Sequence, residues 1–313
     1  MGASAAILSL VGMTLSALAI LAGATCARAQ DDGPRVYQLT PKGAQASTVF
    51  AVAKRGNEEP EVGTVIPGSD IDTDLLIPRY VTTLSLGGRQ FAPFVIVPTG
   101  RTRFSIKDGT TPPASSSGFG DLQIGGVAGL IGSPALNPAD YARFKPGFST
   151  GLFAKIYFPT GAYNAAKPVN LGSNRLAFQI GLPTSFAWGA SYRDPRLTTL
   201  DVFPTLTFYD DNDDPYGADS SSKAALFSVE GHLTHNLNRT TWLSADVLYR
   251  LGGETTTDGV AGSDATHGWS AGGSIGWALN PRATLILTYQ QVIERDDDGP
   301  DGGFFRAALV LPF

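Results

Sequence analysis

Phe304-Phe305-Arg306-Ala307-Ala308-Leu309-Val310-Leu311-Pro312-Phe313 stands at the end of the sequence. Side chains of a strand point alternately to opposite sides, so Phe305, Ala307, Leu309, Leu311 and Phe313 share one face and Arg306 lies on the other. An alternating final strand that stops on an aromatic residue is the pattern of an outer-membrane β-barrel, where the last strand closes the barrel. On that reading the outer face of every strand meets lipid and the inner face meets water.

The composition agrees. The chain has 313 residues, 42% hydrophobic and 16% charged, with 37 Gly and 21 Pro. Gly and Pro at that level favour many strands joined by turns over a helical enzyme. The formal charge is -5 and no basic cluster occurs, which excludes nucleic acid as an expected partner. Residues 5–25 are apolar, and Ala27-Arg28-Ala29 follows with small residues where a signal peptidase needs them. We expect a signal peptide over 1–29 and a barrel over 30–313. The stretch departs from the usual signal in having no Lys or Arg before it, and a retained membrane anchor is the other reading. Cys26 would leave with the signal, so neither a disulfide nor a thiolate metal site is expected.

Runs of alternating residues recur at about the ten-residue length that a tilted membrane strand needs. In 241–251, Leu243, Ala245, Val247, Tyr249 and Leu251 oppose Ser244, Asp246 and Arg250. In 226–237, Phe227, Val229 and Leu233 oppose Ser228, Glu230, His232 and Thr234; in 147–158, Phe148, Leu152 and Ile156 oppose Ser149 and Lys155. Further strands are expected near 45–55, 74–86, 89–98, 120–131, 175–189, 199–209, 268–279, 283–294 and 303–313. The fold class is therefore all-β: a transmembrane antiparallel up-and-down barrel of about twelve strands. With the N-terminus inside, short links such as Gly87-Gly88 and Asn280-Pro281-Arg282 are periplasmic. External links are expected at 56–73, 99–119, 159–174, 210–223, 252–267 and 295–302. The long link 132–146 is the exception, and Asn137-Pro138 there is expected to open one helical turn. Tyr157, Phe158, Trp188, Tyr192, Phe208, Tyr209, Trp242, Trp269 and Trp277 lie near strand ends, as interface girdles require. A soluble β-sandwich would also alternate, but it accounts for neither the signal nor the alternating loop lengths.

Three motifs then stand in order: Gly118-Phe119-Gly120-Asp121-Leu122, Tyr157-Phe158-Pro159-Thr160-Gly161 and Asn170-Leu171-Gly172-Ser173-Asn174. Their series over 118–313 resembles the outer-membrane proteins labelled "putative MetA-pathway of phenol degradation". The resemblance implies a membrane barrel with a role in taking up aromatic or other hydrophobic compounds, and it carries over no site residues. Val97-Pro98-Thr99-Gly100 echoes the second motif, so it too is expected to end an outward strand.

Alternation directs Arg79, Lys155, Glu230, His232, Asp246, Arg250 and Arg306 inward as the candidate lumen lining, since polar groups facing hydrocarbon are costly. They line a channel or pair with one another and plug it; their mixed signs suggest no strong ion selectivity. Asp210-Asp211-Asn212-Asp213-Asp214 and Asp296-Asp297-Asp298 lack EF-hand spacing and read as solvated external loops, open to divalent ions bridging to lipopolysaccharide. His232, His235 and His267 have no spacing that compels a catalytic triad. The sequence thus points to a bacterial outer-membrane channel for small molecules, not an enzyme, with no cofactor and no metal. The alternative is a structural or surface-interaction barrel with a plugged lumen. The expected partners are outer-membrane lipid and lipopolysaccharide, the barrel-assembly machinery and a small solute.

Overall fold

The computed structural model describes residues 32–61, 63–107 and 110–313, so the expected signal peptide and Cys26 lie outside the described residues. The elements in chain order are β1 (Gln45–Gly56), β2 (Ser69–Thr82), β3 (Leu84–Leu86), β4 (Arg89–Ile96), β5 (Thr99–Ile106), β6 (Ala114–Phe119) and β7 (Leu122–Ile131). The short helix α1 (Pro138–Arg143) precedes β8 (Phe148–Phe158), β9 (Ala177–Gly181), β10 (Thr184–Trp188) and β11 (Thr198–Tyr209). Then come β12 (Ser221–Lys223), β13 (Leu226–Asn236), β14 (Thr241–Gly252), β15 (Thr255–Thr257), β16 (Val260–Ala261), β17 (Thr266–Asn280), β18 (Ala283–Arg295) and β19 (Gly303–Pro312).

Every pairing is antiparallel, and β19 pairs with β18 on one side and β1 on the other, with Leu309 opposite both Leu285 and Val49. The sheet therefore closes, which removes the exposed edges that hydrocarbon cannot tolerate. Several elements are halves of one interrupted strand, and rejoining them gives a closed barrel of twelve. Against β2, Arg79 pairs with Ile96 and Leu76 with Thr99, one unshifted register across Val97-Pro98. Against β8, Gly181 pairs with Phe153 and Thr184 with Thr150, one register across Leu182-Pro183. Proline removes a donor at each break without ending the strand. This corrects the expectation that Pro98 opens an external loop over 99–119: the strand resumes as β5, and only about 107–113 connects it to β6.

Faces follow the alternation. Phe313 is 69% exposed, Trp277 54% and Trp188 55%, all on the outer wall with Leu243, Val247 and Leu309. Three of the expected girdle aromatics turn inward instead. Trp242 is only 9% exposed, with the Arg35 guanidinium 4.7 Å above its ring. Tyr157 and Tyr209 border interior cavities. The expected helical turn is present as α1, where Asn137 accepts a hydrogen bond from the Asp140 N–H and Pro138 begins the helix.

Inside, hydroxyl pairs tie neighbouring strands: Thr73 with Thr102, Thr199 with Thr234, and Ser274 with Thr288. Toward the periplasmic half, Phe94, Ile96, Phe153 and Phe203 form a buried apolar cluster. The interior is thus a packed space with polar and apolar sectors.

Candidate functional site

The inward register of the strands assembles a central cavity of about 110 Å³. Arg79 (β2), Lys155 (β8), Glu230 (β13), Arg250 (β14) and Arg306 (β19) all border it. One sector is apolar, formed by Phe50, Val52, Leu75, Ile77, Leu248 and Phe304. The opposite sector is polar, with Tyr157, Gln179, Thr205 and Ser228 beside Lys155 and Glu230. Of the seven residues singled out from sequence, two lie elsewhere. His232 borders a smaller cavity on the periplasmic side, and Asp246 is buried behind it.

Those two form a closed network. His232 Nδ1 lies 2.8 Å from Asp246 Oδ1 and its Nε2 lies 3.4 Å from Glu230 Oε2. The hydroxyls of Ser244 and Ser274 each donate to Asp246 at 2.5 Å. Both ring nitrogens of His232 thus face carboxylates rather than a nucleophilic hydroxyl. His267 pairs with Asp296 at 3.1 Å at the external rim. His235 faces outward, on the side of the strand opposite to His232.

Two segments enter the barrel from its ends, and neither was anticipated from sequence. From the periplasmic end, residues 32–40 run up the lumen. The Tyr37 ring packs edge-on against Phe203 at 4.8 Å and Phe153 at 5.7 Å. Arg35 donates to Thr234 and Asn236, Gln38 to Thr199, and the Thr40 N–H to Gln90. At the first described residue, the Asp32 N–H donates to the Glu230 carboxylate at 3.1 Å and the Tyr37 hydroxyl donates to Asp32 Oδ2 at 2.5 Å. From the external end, the loop 57–68 folds inward. Glu58, with no exposed surface, accepts from Arg250 at 2.5 and 3.2 Å and pairs with Lys54 at 3.2 Å. Burial acts to raise its pKa, but Arg250 and Lys54 outweigh it and hold the carboxyl well below the usual range. The partly buried Glu59 is instead pushed up to about 8 by burial and the nearby Glu61, against the pull of Lys223, Arg175 and Lys54.

Sequence signals for these segments exist in retrospect. Asp32-Gly33-Pro34-Arg35 is too polar and turn-rich for a strand, and Lys54 is a charge on the inward register of β1. Glu58, Glu59 and Glu61 stand opposite a lumen richer in cations than in anions.

The cavities are stacked in series and share lining residues. An external vestibule of about 380 Å³ shares Glu61 and Ser173 with a chamber beneath it. That chamber shares Pro60, Leu75, Ile77, Gln123 and Tyr157 with the central cavity. The central cavity and the periplasmic one share Glu230 as a lining residue. At the rim of the chamber the three sequence motifs come together. The Asp121 carboxylate accepts from the Gly161 N–H, the Ser173 N–H and the Ser173 hydroxyl at 2.7–2.8 Å. Gly161 and Gly172 pass so close that a Cβ on either would lie 2.6–2.7 Å from the other's backbone, so both must be glycine.

A family model described as "Putative MetA-pathway of phenol degradation" matches residues 54–304. Among solved structures, the COG4313 outer membrane channel from Pseudomonas putida F1 superposes with a TM-score of 0.72 at 20% identity, covering 90% of this chain and 100% of that one. At that identity the likeness shows the fold alone. The beta domain of the Bordetella autotransporter BrkA follows at a TM-score of 0.48 and 10% identity, covering 87% of this chain and 100% of that one, too distant to carry an argument. No curated protein matches the chain in sequence.

Proposed function

We propose a solute channel, taking as premise that the chain belongs to the family "Putative MetA-pathway of phenol degradation" and that its barrel sits in the bacterial outer membrane. The observation that carries the proposal is the series of cavities running from the external vestibule to the periplasmic segment, each sharing lining residues with the next. A purely structural barrel would be expected to fill this space with pairing side chains. Arg79, Lys155, Glu230, Arg250 and Arg306 are assigned as lining of the path, and His232 and Asp246 as its buttress on the periplasmic side.

The sectors of the central cavity suit a small molecule with an apolar body and a polar end. Its volume is on the scale of the roughly 150 Å³ apolar cavity that holds benzene in an engineered protein. Together with the family description, this favours small hydrophobic or aromatic solutes that cross passively. The chain enters the membrane after removal of residues 1–29, with the assembly machinery and lipopolysaccharide as its partners. Reconstitution tests the reading: purified barrel gives conductance steps in planar bilayers and admits small solutes to liposomes. Silent bilayers and impermeable liposomes would overturn it. They would favour the second reading, a plugged surface barrel, which the two inserted segments motivate.

A further inference from the structure

Three cations from three separate strands border the central cavity together with the Asp32 carboxylate. Lys155, Arg79 and Arg306 line it with Asp32, and Gly33, next to Asp32, lies against the Arg306 guanidinium. Of the other lumen charges, Arg250 and Lys54 hold Glu58, Asp246 is held by His232, Ser244 and Ser274, and Glu230 accepts from the Asp32 N–H. Among the described residues that border the central cavity, the acids are Asp32 and Glu230, against Lys54, Arg79, Lys155, Arg250 and Arg306. The mixed signs seen along the strands therefore resolve, in space, into a local excess of positive charge that Asp32 and Glu230 partly offset. In a partly enclosed site such charges act far more strongly than in bulk water.

The carboxylate is not part of the barrel wall. It is carried on a tether, beside Gly33, whose φ of +95° disfavours any side chain and which lies against the Arg306 guanidinium. Apolar surface adjoins the cations: the Arg79 guanidinium lies 4.9 Å from the Phe94 ring, and that of Arg306 lies 5.3 Å from Phe304 and 5.8 Å from Phe50. An anionic group bound here would have an apolar wall at hand for the rest of its molecule.

We propose that Lys155, Arg79 and Arg306 form a binding site for a small amphiphilic anion, an apolar ring bearing one negative oxygen group. Asp32 is the tethered occupant that such a solute displaces. The proposal rests on the channel reading and deepens it: the solute's own charge releases the segment that fills the path. A tethered competitor lowers the solute's apparent affinity by the fraction of time it is away from the site.

The test is equilibrium binding of benzoate to the detergent-solubilised full barrel, with benzyl alcohol as the uncharged match. Asp32→Asn is expected to tighten benzoate binding about tenfold, as for a competitor in place about nine-tenths of the time, and to leave benzyl alcohol unaffected. Lys155→Met and Arg79→Gln are expected to abolish benzoate binding, and Arg79→Lys, which keeps the charge should the glutamine variant fail to fold, to retain it. Benzoate binding indifferent to Asp32→Asn, or benzyl alcohol binding that responds equally, overturns the proposal. Asp32-dependent benzoate binding by a barrel with no conductance and no flux leaves the site standing and removes the channel. Conductance without such binding does the reverse.

Discussion

The two segments that enter the lumen close it with the same chemistry, carboxylates set against strand cations, yet they are built to different ends. The external loop 57–68 is anchored at both ends by β1 and β2, and its Glu58 is buried between two cations with short contacts. The periplasmic segment 32–40 leads into β1, and at Asp32 it is held by one hydroxyl on the carboxylate and one backbone N–H to Glu230. A doubly anchored, fully paired closure is a fixed constriction. One held at its carboxylate by a single hydroxyl, with a key group that copies the chemistry of a small anion, is the displaceable occupant proposed above.

The largest expected effect lies on the fixed side. Glu58→Ala leaves Arg250 and Lys54 buried without their shared partner, a change that costs about 3–5 kcal/mol when one member of a buried pair is removed. Faster hydrogen exchange across 57–68 and a lower unfolding temperature check it; unchanged exchange would make the loop as loose as the periplasmic segment. Next is Asp121→Ala, which leaves the backbone donors of Gly161 and Ser173 unsatisfied at the external rim, at about 1–3 kcal/mol. Protease nicking within 159–176 should rise while strand exchange stays slow.

On the displaceable side the effects are smaller. Tyr37→Ala deletes two ring pairs worth about 0.5–1.5 kcal/mol each. It should lengthen the open dwell of single channels without changing the unfolding temperature. A separate effect, back on the external loop, is on pH. Glu59 has its folded pKa raised to about 8, so the packed loop holds a proton that the released loop gives up. Its packed state is therefore favoured at acid pH, and that stability falls as pH rises from the ordinary glutamate range to about 8. Hydrogen exchange of 57–68, corrected for intrinsic rates, should quicken across that window and not beyond it.

The difference between the two halves also explains what was readable in the sequence. The wall was legible because period-two alternation is imposed by lipid on one side and water on the other. Leu243, Val247 and Leu251 against Asp246 and Arg250 leave no other register. Arg306, an isolated charge in an apolar strand, pointed inward for the same reason. Pro98 misled because a missing donor reads as a strand end, whereas the neighbouring pairs keep the register. Trp242 misled because its position near a strand end suits a girdle, while its parity places it under Arg35. The segments in the lumen were not legible because they have no period. Asp32, Tyr37 and Glu58 are placed by partners about two hundred residues away in some cases, as Glu58 is by Arg250, and no local pattern encodes such pairing. The three motifs were visible as strings, but only the fold shows them as one node around Asp121.

Single-channel conductance of the barrel with and without residues 32–39 tests the central claim most directly. The account predicts that removing the segment raises the conductance severalfold and abolishes closures, while the barrel still folds and inserts. An unchanged conductance, with the same closures, would contradict it, because the path would then run elsewhere or not exist.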